Sequence, residues 1–130
     1  MSEISVADEA ERYLQAIADP RSVPAERECV VCYVARMLTA FGCDTSLRWA
    51  TRFRDLRSPT ATSLGRRLGA VGGFCDCEIF LNGYGLVRDL LVRDLHTDEL
   101  EAPAEPPPCA GVGRTSTRPC ANWERRRSGG

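Results

Sequence analysis

The chain has 130 residues, 43% of them hydrophobic and 27% charged, with a net charge of −1. That length suits one domain with a modest core and is too short for two ordinary ones, and no stretch approaches the roughly 20 apolar residues of a membrane span. The start, MSEISVADEAERYL, is acidic and lacks an apolar run, so it does not read as a secretory signal, and the expected address is cytoplasmic.

All 17 basic residues are arginine, and charge is unevenly spread. Residues 1–28 carry −4, 29–67 carry +5, 68–105 carry −6 and 106–130 carry +4. A basic middle between acidic segments marks an anion-binding face, built here from Arg48, Arg52, Arg54, Arg57, Arg66 and Arg67, or lets the segments attract one another on folding. Nucleic acid or an acidic protein would be the partner of the first reading. No nucleic-acid motif accompanies the arginines, which favours the second.

In chain order, residues 6–18 place Val6, Ala10, Tyr13, Leu14 and Ile17 near one helical face. After DPRSVP, Ser22 and Pro24 suit a helix start. Val30, Val34, Met37, Leu38 and Phe41 then recur at helical spacing up to Gly42, so this second helix is expected at the centre of the core. Asp44 or Thr45 can cap a third helix with Trp49, Ala50, Phe53 and Leu56 inward. Ser58 and Pro59 start a fourth, carrying Ala61, Leu64, Leu68 and Val71, which Gly72-Gly73 breaks.

From Phe74 the period becomes two. Cys75, Cys77, Ile79 and Leu81 form the core face of an expected strand, with Phe74, Asp76, Glu78 and Phe80 outward. Asn82-Gly83 ends it in a tight turn, and the tandem LVRDL repeat at residues 86–95 reads as a short helix. Residues 101–130 are rich in proline, glycine and small polar residues and are expected to lack fixed structure, leaving residues 1–100 as the domain, with its motif core at 27–83.

Cysteine usage is the informative feature, with seven in the chain. In a reducing cytoplasm they imply metal binding, redox chemistry or burial rather than disulfides. Cys29-Val-Val-Cys32, Cys43 and Cys75-Asp-Cys77 supply five candidate ligands in the ordered part, and a structural zinc needs four. On an extended strand Cys75 and Cys77 stand about 6.6 Å apart, so sharing one ion requires the bend that Gly72 and Gly73 permit. If Pro24 begins the second helix, Cys29 lies beyond the reach of its dipole. Cys109 and Cys120, in the tail, are expected to bind nothing. A solvated Asp76 and Glu78 and the single His96 are not expected to be catalytic, and no phosphate loop or nucleophile elbow is present.

Gly42 to Arg48, GCDTSLR, followed by Gly72 to Ile79, GGFCDCEI, resembles the bacterial domain of unknown function family 2695 over about residues 43–82. The resemblance implies that Cys43, Asp44, Leu47, Arg48, Gly72, Gly73, Cys75, Asp76, Cys77 and Glu78 fall on the family pattern. It also implies that Thr45 stands where relatives often carry a histidine, so that Cys29 or Cys32 would complete a site here. The family implies no reaction.

The expectation is therefore a small α+β domain of about four helices with a short strand or hairpin and a disordered tail. Its leading function is a structural zinc held by Cys75 and Cys77 with two of Cys29, Cys32 and Cys43, and enzyme activity is not expected. The other readings are an arginine-rich adaptor for an anionic partner and a thiol redox sensor using the same five cysteines.

Overall fold

A computed structural model describes residues 6–127. The expectations for residues 1–5 and 128–130 lie outside the described residues. Five helices, α1 (Val6–Ala18), α2 (Val30–Phe41), α3 (Arg48–Arg57), α4 (Leu64–Ala70) and the single turn α5 (Asp76–Glu78), are followed by the strands β1 (Tyr84–Leu86), β2 (Val92–Arg93), β3 (Leu100–Glu101) and β4 (Trp123–Arg125). The small α+β class holds. β1 pairs antiparallel with β4, Leu86 opposite Trp123, and β2 with β3, Val92 opposite Glu101. Among the described residues no helix is long and apolar enough to cross a membrane.

The core forms where α2 meets α3. Val30, Val31, Tyr33, Val34 and Met37 of α2 are buried against Trp49, Ala50 and Phe53 of α3, with Leu64 and Leu68 of α4 and Ile79 closing it. Aromatic rings meet at tilted angles typical of such cores, Tyr33 with Phe53 at 5.7 Å and Tyr13 with Trp49 at 5.6 Å. Helix α1 contributes Ala16 and, in part, Tyr13 and Ile17, whereas Val6 and Leu14 face outward.

The start of α2 differs from expectation. Pro24 does not begin it. Residues 20–22 form a short 3₁₀ turn capped by Asp19, and α2 starts at Val30 with Cys29 itself as the N-cap. Glu28 fixes the approach by accepting from the Ala25 N–H at 2.9 Å and pairing with Arg36 at 2.9 Å. Likewise α4 begins at Leu64, not near Pro59, because residues 58–63 are spent on turns.

The segment after Gly72-Gly73 is not a strand. Asp76–Glu78 is a helical turn that runs into a π-helical turn, Ile79–Gly83. The glycines do supply a bend: Gly72 adopts a φ of 86°, and a Cβ there would meet Asn82 Cβ at 2.8 Å. Asp76, expected outward, is fully buried. Its carboxylate accepts the backbone N–H groups of Trp49 at 3.0 Å and Ala50 at 3.2 Å. Leu47, the N-cap of α3, has no side chain able to do this, and neither Asp44 nor Thr45 caps the helix. Asp76 thus serves as the missing cap from a distant part of the chain, with its negative charge at the positive end of α3.

The tail is not structureless. Residues 101–127 fold back along the domain: Val112 N–H donates to Arg27 O at 2.9 Å, Val87 N–H to Asn122 O at 2.9 Å, and β4 completes the pair with β1. Apolar burial is small in this segment, so its order rests on main-chain hydrogen bonds and on Cys109 and Cys120. The LVRDL repeat is not a helix either. Its first copy ends β1 and enters a 3₁₀ turn (Arg88–Leu90), and its second contributes β2.

Burial pushes the Asp76 carboxyl up to about 6, outweighing the N–H groups of Trp49 and Ala50, which pull it down. A carboxyl with a raised folded-state pKa keeps its proton longer in the native than in the unfolded chain, so stability is highest with the proton on and falls as pH rises through the interval. Relative to Asp76→Asn, which does not titrate, the wild-type unfolding free energy should fall by about 3 kcal/mol between roughly pH 4 and pH 6 and stay level above. Denaturant titrations at several pH values check this. Asp76→Ala, which strands two buried N–H donors, should cost about 3 kcal/mol at pH 7.

Candidate metal centre

The sulfur atoms of Cys29, Cys32, Cys109 and Cys120 all lie within 4.8 Å of one another. Cys29 and Cys120 are buried, and Cys32 and Cys109 half-buried. Each pair has a local cause. Cys29 and Cys32 sit at the N-cap and third residue of α2, the i, i+3 spacing that puts both on one face at the positive end of the helix. Cys109 precedes a sharp turn at Gly111, φ 91°, and Cys120 precedes β4. Asn122 ties the two tail segments together by donating its Nδ2 to Pro108 O at 2.8 Å.

Every sulfur of the group receives N–H donors. Cys29 Sγ accepts from Cys32 N at 3.3 Å, and Cys109 Sγ from Cys29 N at 3.3 Å and Gly111 N at 3.4 Å. Cys32 Sγ accepts from the indole Nε1 of Trp123 at 3.2 Å, and Cys120 from the backbone of Asn122 and Ala110. Such donors neutralise thiolate charge and orient the sulfurs, as outer-shell groups do around metal ligands. They also act on the protons. The neighbouring Cys32 thiol, followed by its backbone N–H, draws Cys29 down to about 5 against burial. Cys32 is pushed up by Cys29 and by burial.

The spacing speaks against disulfides. All seven cysteines are free, and Cys32 and Cys120 Sγ stand 3.8 Å apart, far beyond a bond of about 2.05 Å. A tetrahedron of sulfurs about 2.3 Å from a central ion has edges of about 3.8 Å. The cluster therefore has the size and donor set to hold one metal ion.

The five cysteines singled out in the sequence are divided between two places. Cys29 and Cys32 join the four-sulfur group, but with Cys109 and Cys120 in place of Cys75 and Cys77. Cys43, Cys75 and Cys77 lie instead beside the N-terminus of α3, on two segments joined by the Asp76 N–H, which donates to Ser46 O at 3.0 Å, and the neighbouring Cys77 and Cys75 act on the ionisation of Cys43. Burial opposes ionisation of Cys43, yet donors from Cys77 and Thr45 lower its pKa; Cys77 is correspondingly raised to about 11 by Cys43 and by burial. The available signal for the missed ligands was the C-x10-C spacing of Cys109 and Cys120, with a glycine two residues after the first.

Residues 30–82 match the family described as "Protein of unknown function (DUF2695)". This segment belongs to that family. The match covers both stretches that carried the resemblance and contains Cys32, Cys43, Cys75 and Cys77, whereas Cys29, Cys109 and Cys120 fall outside it. No curated protein and no solved structure matches the chain.

Most of the six arginines are engaged internally. Arg48 stacks on Tyr13 and Trp49, at 5.2 and 5.0 Å from their ring centres, and Arg52 donates to Ser22 O at 3.3 Å. Arg57 binds Ala25 O at 2.7 Å and Arg114 O at 3.1 Å, Arg54 pairs with Asp55, and Arg67 bonds Thr117. Only Arg66 makes no hydrogen bond or ion pair among the described residues. Five of the six guanidinium groups thus have partners within the chain. His96 is exposed.

Because the Trp123 indole is the donor to Cys32 Sγ, Trp123→Phe keeps the ring against Phe80 but removes the N–H. Its affinity for a thiophilic divalent cation, measured by competition with a chromogenic chelator, should fall by about tenfold. Unchanged affinity would mean that this bond does not tune the sulfur.

Proposed function

We propose that this chain is a cytoplasmic zinc-binding protein in which Cys29, Cys32, Cys109 and Cys120 hold one structural Zn²⁺. The observation that carries the reading is the convergence of four sulfurs within 4.8 Å of one another, a grouping that a bound ion would need to draw in only slightly to reach the edges of about 3.8 Å of a tetrahedral site. The N–H donors on every sulfur support it, since a site of four thiolates around Zn²⁺ carries two negative charges that a half-buried position must offset.

Four protein ligands fill the shell of a tetrahedral ion, which leaves no position for a reactive water, so the role of the metal is structural. It would join the N-terminus of α2 to the returning tail. Seven free thiols suit a reducing compartment, which supports the cytoplasmic assignment.

Protein purified without chelator should contain one equivalent of zinc and be colourless, and a strong chelator should lower its unfolding temperature by about 7 °C or more, the shift expected for a loss of about 2 kcal/mol. Cys109→Ser should reproduce the loss in protein never exposed to chelator. Less than half an equivalent of metal, with stability unchanged by chelation, would remove the proposal.

A further inference from the structure

The sulfurs of Cys43, Cys75 and Cys77 lie outside the four-sulfur group, and theirs is not a common pocket of that kind: among the described residues only the four meet the mutual 4.8 Å spacing. Contact here is pairwise and centred on Cys43. The loop that carries it, residues 42–47, is fixed against α5 by the Asp76 N–H, which donates to Ser46 O at 3.0 Å. Cys43 Sγ accepts the backbone N–H of Thr45 at 3.4 Å, and the turn that carries Cys75 and Cys77 is held against the same loop, close enough for both thiols to act on the ionisation of Cys43. Thr45 holds a φ of 69°, a left-handed conformation disfavoured for a β-branched residue, and with it turns its N–H toward the sulfur.

On its other side Cys43 lines a surface pocket of about 460 Å³ together with Arg12, Arg48, Phe41, Asp44 and Glu9. A small polar oxidant can reach it there, whereas Cys75 and Cys77 are not part of that lining. The arrangement is that of an accessible, hydrogen-bonded thiol backed by a second thiol within reach.

We propose that Cys43 is a peroxide-reactive thiol and Cys77 its resolving partner, forming a redox site separate from the metal centre. The Cys43 thiolate attacks one oxygen of hydrogen peroxide, the O–O bond breaks, and the leaving hydroxide takes a proton to become water, leaving a sulfenic acid on Cys43. The Cys77 sulfur then attacks Cys43 Sγ, the S–O bond breaks, and a second water departs with the Cys77 proton. In sum two thiols are oxidised to one disulfide and one peroxide is reduced to two waters. The bond joins the loop that leads into α3 to the turn whose Asp76 caps it.

The test uses the full chain as purified, with one equivalent of hydrogen peroxide, disulfide mapping by mass spectrometry under non-reducing conditions, and zinc analysis before and after. The expected product is a Cys43–Cys77 disulfide with metal content unchanged. Cys43→Ser should slow thiol loss by about tenfold or more, and Cys77→Ser should leave a dimedone-trappable sulfenic acid on Cys43. Mapping of the wild type decides the matter even if a variant folds poorly. A bond to Cys75 in place of Cys77, or oxidation that begins at Cys29, Cys32, Cys109 or Cys120, would overturn the assignment. So would a second equivalent of zinc that disappears in Cys43→Ser, which would make the trio a metal site. The two proposals fail distinguishably: missing zinc in the unoxidised protein counts against the metal centre alone, whereas the mapped disulfide decides the redox site.

Discussion

The Asp76 carboxylate is the contact on which the family segment is organised. It reaches the first turn of α3 from a place in the chain 26 and 27 residues away and supplies acceptors for two N–H groups that nothing local can satisfy. Once it is seated, α3 has its cap, the turn at Cys75–Glu78 has its position, and the loop at Cys43 is drawn against both. The burial that makes the contact specific also makes its charge costly, which is why its protonation is linked to folding.

A second constraint is the size of the chain. Helices α2, α3 and α4 share one small apolar centre, and the strands add little to it, since β2 and β3 are exposed. Residues 101–127 bury little apolar surface. They are held by backbone hydrogen bonds, by the Phe80–Trp123 edge contact at 5.5 Å, and by two cysteines brought to the N-terminus of α2. Small domains commonly meet such a shortage with a staple, and four sulfurs at metal-binding distance are the donor set for one.

What could be read from the residues follows from how local each signal is. The apolar spacing of Val30, Val34 and Met37 is decided within one helix, and so was read correctly, as was the Gly72-Gly73 bend. The strand expected at Cys75–Leu81 failed because alternation treats Asp76 as an outward polar residue, while its real partners are backbone groups in α3. The tail failed for a related reason: composition measures apolar content, and this segment is ordered by polar main-chain pairing and by sulfurs whose partners lie far earlier in the chain. Cys29 was placed beyond the helix dipole because Pro24 resembled a start, and the structure instead makes Cys29 the cap.

The pairing of Cys29 and Cys32 with Cys109 and Cys120 also sets an order of events as the chain is made. The first two cysteines leave the ribosome with α2, and the residues of α3 and α4 are made before the other two exist. Closing so long a loop is entropically slow to repay, so the helical core has to hold its shape with two solvent-facing thiols waiting at the tip of α2. A nascent chain of this protein therefore carries the Cys29 and Cys32 half of the group through the synthesis of α3 and α4, and the other half joins it only once residues 109–120 are made.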